Sequence, residues 1–100
     1  MTGQEVDMGT DKTMITGKSE SGFEFSVQES ALNDYRLLKI FRQIDKGRAD
    51  YMVDAIDMLL GDEQSERLES FIQERDGEVA TSAVFAEFRN IMSVIRALKN

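Results

Sequence analysis

The sequence has no cysteine, no histidine and no proline among its 100 residues. Without cysteine, neither a disulfide framework nor a thiolate metal site or thiol nucleophile can form, and the cytoplasm is the natural compartment. Without histidine, the chain lacks the commonest general base and the commonest transition-metal ligand. We therefore expect a protein that is not an enzyme and that holds no metal or cofactor.

Basic residues and long apolar runs are also scarce. The 12 lysine and arginine residues are outnumbered by 19 acidic ones, which gives a formal net charge of -7. A protein of this charge is repelled by phosphates, so we expect no nucleic-acid partner. No apolar run approaches the about 20 residues that span a bilayer, and Met1–Thr10 is polar and acidic, so we expect no membrane association and no secretory signal.

A chain of this length can build one hydrophobic core. Residues 1–12 contain almost nothing apolar. Burial therefore cannot offset the entropy of ordering them, and we expect a disordered arm there. Residues 13–100 are expected to form a single domain of the mostly α class. Their pattern predicts a small four-helix domain with a short β-hairpin at its N-terminal end.

The hairpin is predicted from an alternation of apolar and polar residues. Phe23, Phe25 and Val27 alternate with polar side chains, which is the period of a strand that buries one face. Met14–Lys18 supplies the partner strand, and Ser19–Gly22 ends in a glycine that can take the positive φ of a short loop. An isolated ribbon is marginal, so these apolar residues must pack on a helix.

Helical periodicity follows the hairpin and is not interrupted by proline. Apolar residues cover more than half the circumference of the first predicted helix, so we expect that helix to lie in the middle of the core. Capping residues and glycines set the predicted boundaries. The four helices are predicted from a cap at Ser30 or Asn33 to about Asp45, from about Ala49 to Leu60, from Glu63 (after Gly61 and a cap at Asp62) to about Arg75, and from a cap at Thr81 or Ser82 to about Leu98.

The last predicted helix carries more apolar surface than one core needs. Its core line, with alternating spacings of four and three, consists of Val84, Phe88, Ile91, Ile95 and Leu98. Three further apolar residues widen the arc to about 180°, whereas a helix on one core needs little more than about 100°. Either the rest of the fold covers this excess or a partner does. In the second case, the candidate partner-binding residues are Phe85, Met92, Val94 and Leu98.

Three short motifs resemble functional sites, but their context favours structural roles. Ile15–Ser19 ends like a phosphate-binding loop, but Lys12 stands where that loop needs glycine. Asp76–Val79 looks like part of a calcium loop, but Ile72 and Ala83 would occupy its first and last ligand positions. The aspartates at 45, 50, 54 and 57 could attract a hard cation, although such a run is usually a solvated helix face. We interpret the three as a hairpin, a turn and a solubilising surface.

Four segments follow one another in an order that is typical of one protein family: Gly22–Phe25, Ala31–Leu38, Leu59–Gln64 and Asp76–Val79. In this order the chain resembles the tail assembly chaperones of long-tailed bacteriophages and prophages, particularly those of Gram-positive hosts. The resemblance spans about residues 14–95. Its most specific pieces are Leu-Leu-Gly-Asp-Glu-Gln and the Arg-Asp-Gly-Glu-Val turn at a fixed distance behind it.

The resemblance implies a small, acidic, largely helical protein that binds the long tape-measure protein and keeps it soluble until the tail tube polymerises around it. It also implies a location in the cytoplasm of the bacterial host and absence from the mature virion. Members of this family have a longer form, made by programmed ribosomal frameshifting, whose extension recruits the tail-tube protein, and this chain would match the short form. The resemblance assigns no functional residue, and a homo-oligomer stays open.

Two other function classes stay open at the level of sequence. A small structural or head-completion protein of a phage particle would bind a ring or portal and remain in the virion. A regulatory adaptor unrelated to phages would share the small, acidic, helical character. The coding DNA distinguishes them, because a chaperone gene would carry a slippery heptamer shortly before its stop codon and lie between a tube gene and a very long tape-measure gene.

Overall fold

The computed structural model describes residues 13–99 and confirms a mostly helical chain with a two-stranded antiparallel hairpin at its N-terminal end. The disordered arm expected at residues 1–12 lies outside the described residues. Within the described part, no helix has the length and apolar character needed to cross a membrane. The elements are β1 (Met14–Lys18), β2 (Glu24–Gln28), α1 (Glu29–Leu32), α2 (Tyr35–Asp45), α3 (Tyr51–Asp76) and α4 (Thr81–Lys99).

The hairpin is antiparallel and has the predicted buried face. Met14 pairs with Gln28 and Lys18 with Glu24, and Gly22 in the loop has a φ of 100°. Phe23, Phe25 and Val27 are buried, as the alternation predicted. The sheet therefore presents one apolar face to the helices, as a half-buried hairpin must.

Side chains of α3 hold the outer edge of β2. The backbone N–H of Ser26 donates to Oε1 of Gln64 at 2.8 Å, and Nε2 of Gln64 donates back to the Ser26 carbonyl at 2.7 Å. Nη1 of Arg67 donates to the Glu24 carbonyl at 3.2 Å. These hydrogen bonds pair backbone groups at the edge of β2 that could otherwise pair with a third strand. The hairpin is thereby fixed to the helical layer.

The expectation that the first long helix lies in the middle of the core is wrong. On α2 only Leu37 is buried, whereas Tyr35 and Leu38 are exposed. The helix packs mainly on α3, so one side of its wide apolar arc faces outward. Its cap also differs from the prediction, because the carboxylate of Asp34 accepts the Arg36 backbone N–H at 2.8 Å. The hydrogen-bonded Arg36 side chain lowers the pKa of Asp34 to about 2.

The central element is α3, which contacts α2, α4 and β2. Its helical run bends at Gly61, whose φ of 74° and ψ of 173° are not helical, so the predicted break at this glycine is confirmed. Gly77 ends the run in a left-handed conformation, with its N–H donated to the Gln73 carbonyl at 2.8 Å. The buried residues of α3 are Met52, Ala55, Ile56, Leu59 and Leu60 before the bend and Leu68 and Ile72 after it.

The last helix, α4, packs against α3 and β1. On its predicted core line, Phe88, Ile91 and Ile95 are almost completely buried and Val84 is half-buried, but Leu98 is exposed, so the line is core only up to Ile95. The Ala80 carbonyl accepts hydrogen bonds from the N–H groups three and four residues later at 3.0 and 3.1 Å. Thr81 is therefore the first residue of the helix and not its cap, so the helix begins one residue earlier than a cap at Thr81 would place it.

Candidate partner-binding surface

The four predicted partner-binding residues lie on two edges of α4. Phe85 and Met92 are seven residues apart and share one edge, while Val94 and Leu98 are four apart and share the other. The buried core line runs between the two edges. Phe85, Met92 and Val94 are half-buried and pack against the core, whereas the Leu98 side chain is 55% exposed. The fold therefore divides the predicted surface into one part beside the hairpin and one beside the bend of α3.

Beside the hairpin, Leu98 lies close to a glycine on the inner face of β1. A Cβ added to Gly17 would stand 2.9 Å from Cζ of Phe25 and 3.1 Å from Cδ1 of Leu98. Both distances are shorter than ordinary carbon contacts. The missing side chain of Gly17 thus makes room for the Phe25 ring and for the end of α4.

Gly17→Ala is expected to lower the free energy of unfolding by about 1 kcal/mol, the lower end for an overpacked site, because the exposed tip of Leu98 can move aside. Urea unfolding followed by circular dichroism measures the change. Thr16→Ala, on the exposed face of the same strand, is the matched control and should change stability less. A Gly17→Ala protein as stable as the wild type would show that Phe25 also has room to move.

Also beside the hairpin, a buried carboxylate on α4 holds the hairpin loop. Glu87 is 4% exposed, and its carboxylate accepts hydrogen bonds from the Ser19 hydroxyl and, at 3.0 Å, from the Ser21 hydroxyl. Nη1 of Arg75 lies 3.6 Å from Oε1 of Glu87. The Ser19 oxygen also accepts the Phe23 backbone N–H at 3.1 Å. A buried carboxylate needs such partners, and this one has three.

A second contact fastens the same loop to α4. The backbone N–H of Glu20 donates to Oδ1 of Asn90 at 2.7 Å. Because the Ser19 hydroxyl is buried and bonded both as donor and as acceptor, it is a structural group and not an available nucleophile. Sequence reasoning missed this network, although a lone acid among the apolar residues of the last helix was a usable signal.

Beside the bend, Phe85 lines a groove of about 220 Å³ between the two halves of α3 and the start of α4. We call it the kink groove. Asp57 and Glu69 also line it, and no basic residue does. The buried hydroxyl oxygen of Ser65, another lining residue, has no hydrogen-bond partner among the described residues. The apolar lining consists of Val53, Ile56, Leu68, Val79, Val84 and Phe85.

The kink groove combines exposed apolar side chains with a concave shape. Val53 is 52% exposed and Val79 is 40% exposed, although both belong to the apolar lining. Ile56 and Leu68 form a buried floor. The groove thus offers apolar area that an inserted side chain could remove from water. Sequence periodicity could not reveal it, because its walls come from three helical segments.

A wider groove of about 620 Å³ lies between α2 and the first half of α3. Arg36 and Lys39 line its α2 side, and Asp54 and Asp57 line its α3 side. Within residues 13–99, no cluster of three or more acidic side chains is placed to hold a metal ion. The mixed charges of this groove give it less apolar character than the kink groove.

Comparison with known proteins adds no relative to this picture. No family model, curated protein or solved structure matches the chain.

Proposed function

We propose that the protein is a phage tail assembly chaperone that binds the tape-measure protein and keeps it soluble during assembly of the tail tube. The observation that carries the proposal is a concave, partly exposed apolar surface, the kink groove, on a strongly acidic helical domain. In this proposal the chaperone acts in the cytoplasm of the bacterial host and is absent from the mature virion. A frameshifted longer form would bring in the tail-tube protein.

The physical requirements of such a chaperone support the proposal. A client that exposes apolar helices must be held by apolar surface, and the complex must resist further association. A net charge of -7 supplies the repulsion, and side chains such as Val53, Val79 and Leu98 supply exposed apolar contact area. The buried carboxylate of Glu87 is occupied with the hairpin loop, so it does not suggest a reaction.

Co-expression of the full chain with the tape-measure protein tests the proposal. We expect the tape-measure protein to appear in the soluble fraction and to co-purify with the chain, and to precipitate when it is expressed alone. Failure to co-purify, with both proteins folded by circular dichroism, would contradict the proposed client.

Mass spectrometry of purified phage particles separates this proposal from a structural or head-completion role. A chaperone should be missing from the particles, whereas a structural protein should be present in a fixed ratio to the portal or a ring. Presence of the chain in finished particles would therefore favour the structural alternative.

A further inference from the structure

We propose, on the basis of the client-binding function above, that the kink groove is the docking site for an amphipathic helix whose apolar stripe is flanked by lysine or arginine. In this complex a large apolar side chain of the client helix fills the groove between Val53 and Val79. Basic side chains of the client then face Asp57 and Glu69. The client-binding surface would then consist of α3 and the edge of α4 that carries Phe85.

The size of the groove points to a side chain as its occupant. Sites for drug-sized ligands and cofactors commonly measure about 300–1,000 Å³. The kink groove, at about 220 Å³, is smaller and is lined mainly by apolar groups. Its dimensions suit an aromatic or leucine side chain. Binding would remove from water the apolar surface of that side chain and the exposed parts of Val53 and Val79, which is favourable.

The walls of the groove favour a helix over an extended strand. An added strand is held mainly by main-chain hydrogen bonds to a free sheet edge. Nine of the ten residues that line the groove lie in α3 before or after the bend or in α4 near its start, where most backbone groups bond within the helix. A client helix satisfies its own backbone and needs only side-chain contacts, which are what this groove provides.

Charge at the rim sets the expected chemistry of the client. Asp57 and Glu69 are both exposed and both line the groove, whose lining contains no lysine or arginine, although Asp57 also borders the wider groove lined by Arg36 and Lys39. An acidic client helix would be repelled there, and the net charge of -7 adds to that repulsion. Lysine or arginine beside the apolar stripe would meet complementary charge, which raises the association rate and fixes the orientation.

One unpartnered polar atom lies in the same wall. The hydroxyl oxygen of Ser65 is buried and makes no hydrogen bond within the described residues. A buried hydroxyl normally has a partner, but this oxygen is closed to solvent, so the contacts proposed for the client involve the exposed rim and not Ser65.

Two synthetic peptides and the full chain test the proposal. Each peptide has about 20 residues, so that a helix can form, with leucines at i, i+3, i+4 and i+7. One carries lysines beside the leucine stripe, and the other carries glutamates at the same positions. We expect the lysine peptide to bind at least tenfold more tightly and to shift the NMR amide signals of Ile56, Ser65 and Phe85.

Two sets of variants locate the binding. Val53→Lys should weaken binding of the lysine peptide at least tenfold, whereas the matched control Leu38→Lys, at an exposed leucine on α2, should leave it within twofold. Asp57→Lys combined with Glu69→Lys should remove the preference for lysine. The control pair is Glu63→Lys with Glu66→Lys, two exposed acids of α3 that do not line the groove, and should keep most of the preference.

Each contrary outcome has a distinct meaning. If the tape-measure protein co-purifies but the lysine peptide does not bind, or shifts only signals near Val94 and Leu98, the groove proposal is wrong and the proposed function stands. If the peptide binds the groove but the tape-measure protein does not co-purify, the groove binds basic amphipathic helices and the proposed function is wrong. Groove signals that shift with the concentration of the protein alone would identify a second copy as the occupant and overturn the proposal.

Discussion

Glu87→Ala is expected to lower the free energy of unfolding by about 2–3 kcal/mol, which is a large part of the stability of a domain this size. The substitution removes the acceptor of the Ser19 and Ser21 hydroxyls and leaves the Ser19 hydroxyl proton without its partner in a buried site. The loss should stay below the about 3–5 kcal/mol of a fully buried ion pair, because the Arg75 side chain is 39% exposed and can be hydrated. Urea unfolding measures it.

Three comparisons identify the cause of that loss. Glu87→Gln keeps an acceptor oxygen and should lose less than Glu87→Ala. Glu66→Ala removes an exposed acid of α3 and should be nearly neutral. In a double-mutant cycle, Ser19→Ala and Glu87→Ala should be strongly non-additive, since each removes the same hydrogen bond. Additive losses would show that the two groups do not stabilise one another.

Gly61→Ala is expected to cost about 1–3 kcal/mol and to abolish binding in the kink groove. The φ of 74° and ψ of 173° fall in a region that is populated almost only by glycine. A Cβ at this position would meet no atom within 4 Å, so the whole penalty comes from the backbone and not from crowding. A straightened helix would separate the groove walls before and after the bend.

Ser70→Ala, at an exposed position on the second half of α3, is the control for this substitution and should change neither stability nor peptide binding appreciably. Unfolding by urea and titration with the lysine peptide measure the two effects. Alanine gains about 1 kcal/mol over glycine in a regular helix. A Gly61→Ala protein that is more stable and still binds would therefore show that the bend is not required.

The hairpin and the bend were predictable from sequence because each depends on local chemistry. Alternation at Phe23, Phe25 and Val27 requires one buried face whatever the helices do. Gly61 separates two apolar patterns and is followed by Asp62, a capping residue. This pair is a local signal that one helix ends and another begins. The sequence could not specify that the two halves would remain one bent run.

The position of α2 and the exact caps were not predictable in the same way. Apolar residues around most of α2 suggested a central helix, but Leu38 and Tyr35 are exposed because the long, bent α3 already occupies the centre. The sequence predicted a cap at Ser30 or Asn33. Ser30 lies inside the short α1 instead, and the cap of α2 is Asp34, one residue after Asn33. Such shifts of one or a few residues are common at helix ends.

The candidate site shows the same division between local and tertiary information. The apolar excess on α4 and its two edges follow from the spacing of its apolar residues, but which part of the fold lies beside each edge does not. The kink groove depends on the angle at Gly61 and on the approach of Val79, which no periodicity encodes. The Glu87 network joins residues 68 positions apart, so only the folded chain brings them together.

The attachment of the hairpin to distant side chains has a consequence for synthesis on the ribosome. The ribbon leaves the exit tunnel before the helices that cover it, since Gln64 is 38 positions behind Ser26 and Glu87 is 68 positions behind Ser19. Translation adds about 5–20 residues per second, so the apolar face of the hairpin remains exposed to water for several seconds. A nascent chain stalled before the final helix would therefore expose an unpaired ribbon, and is the species on which cellular quality control should act.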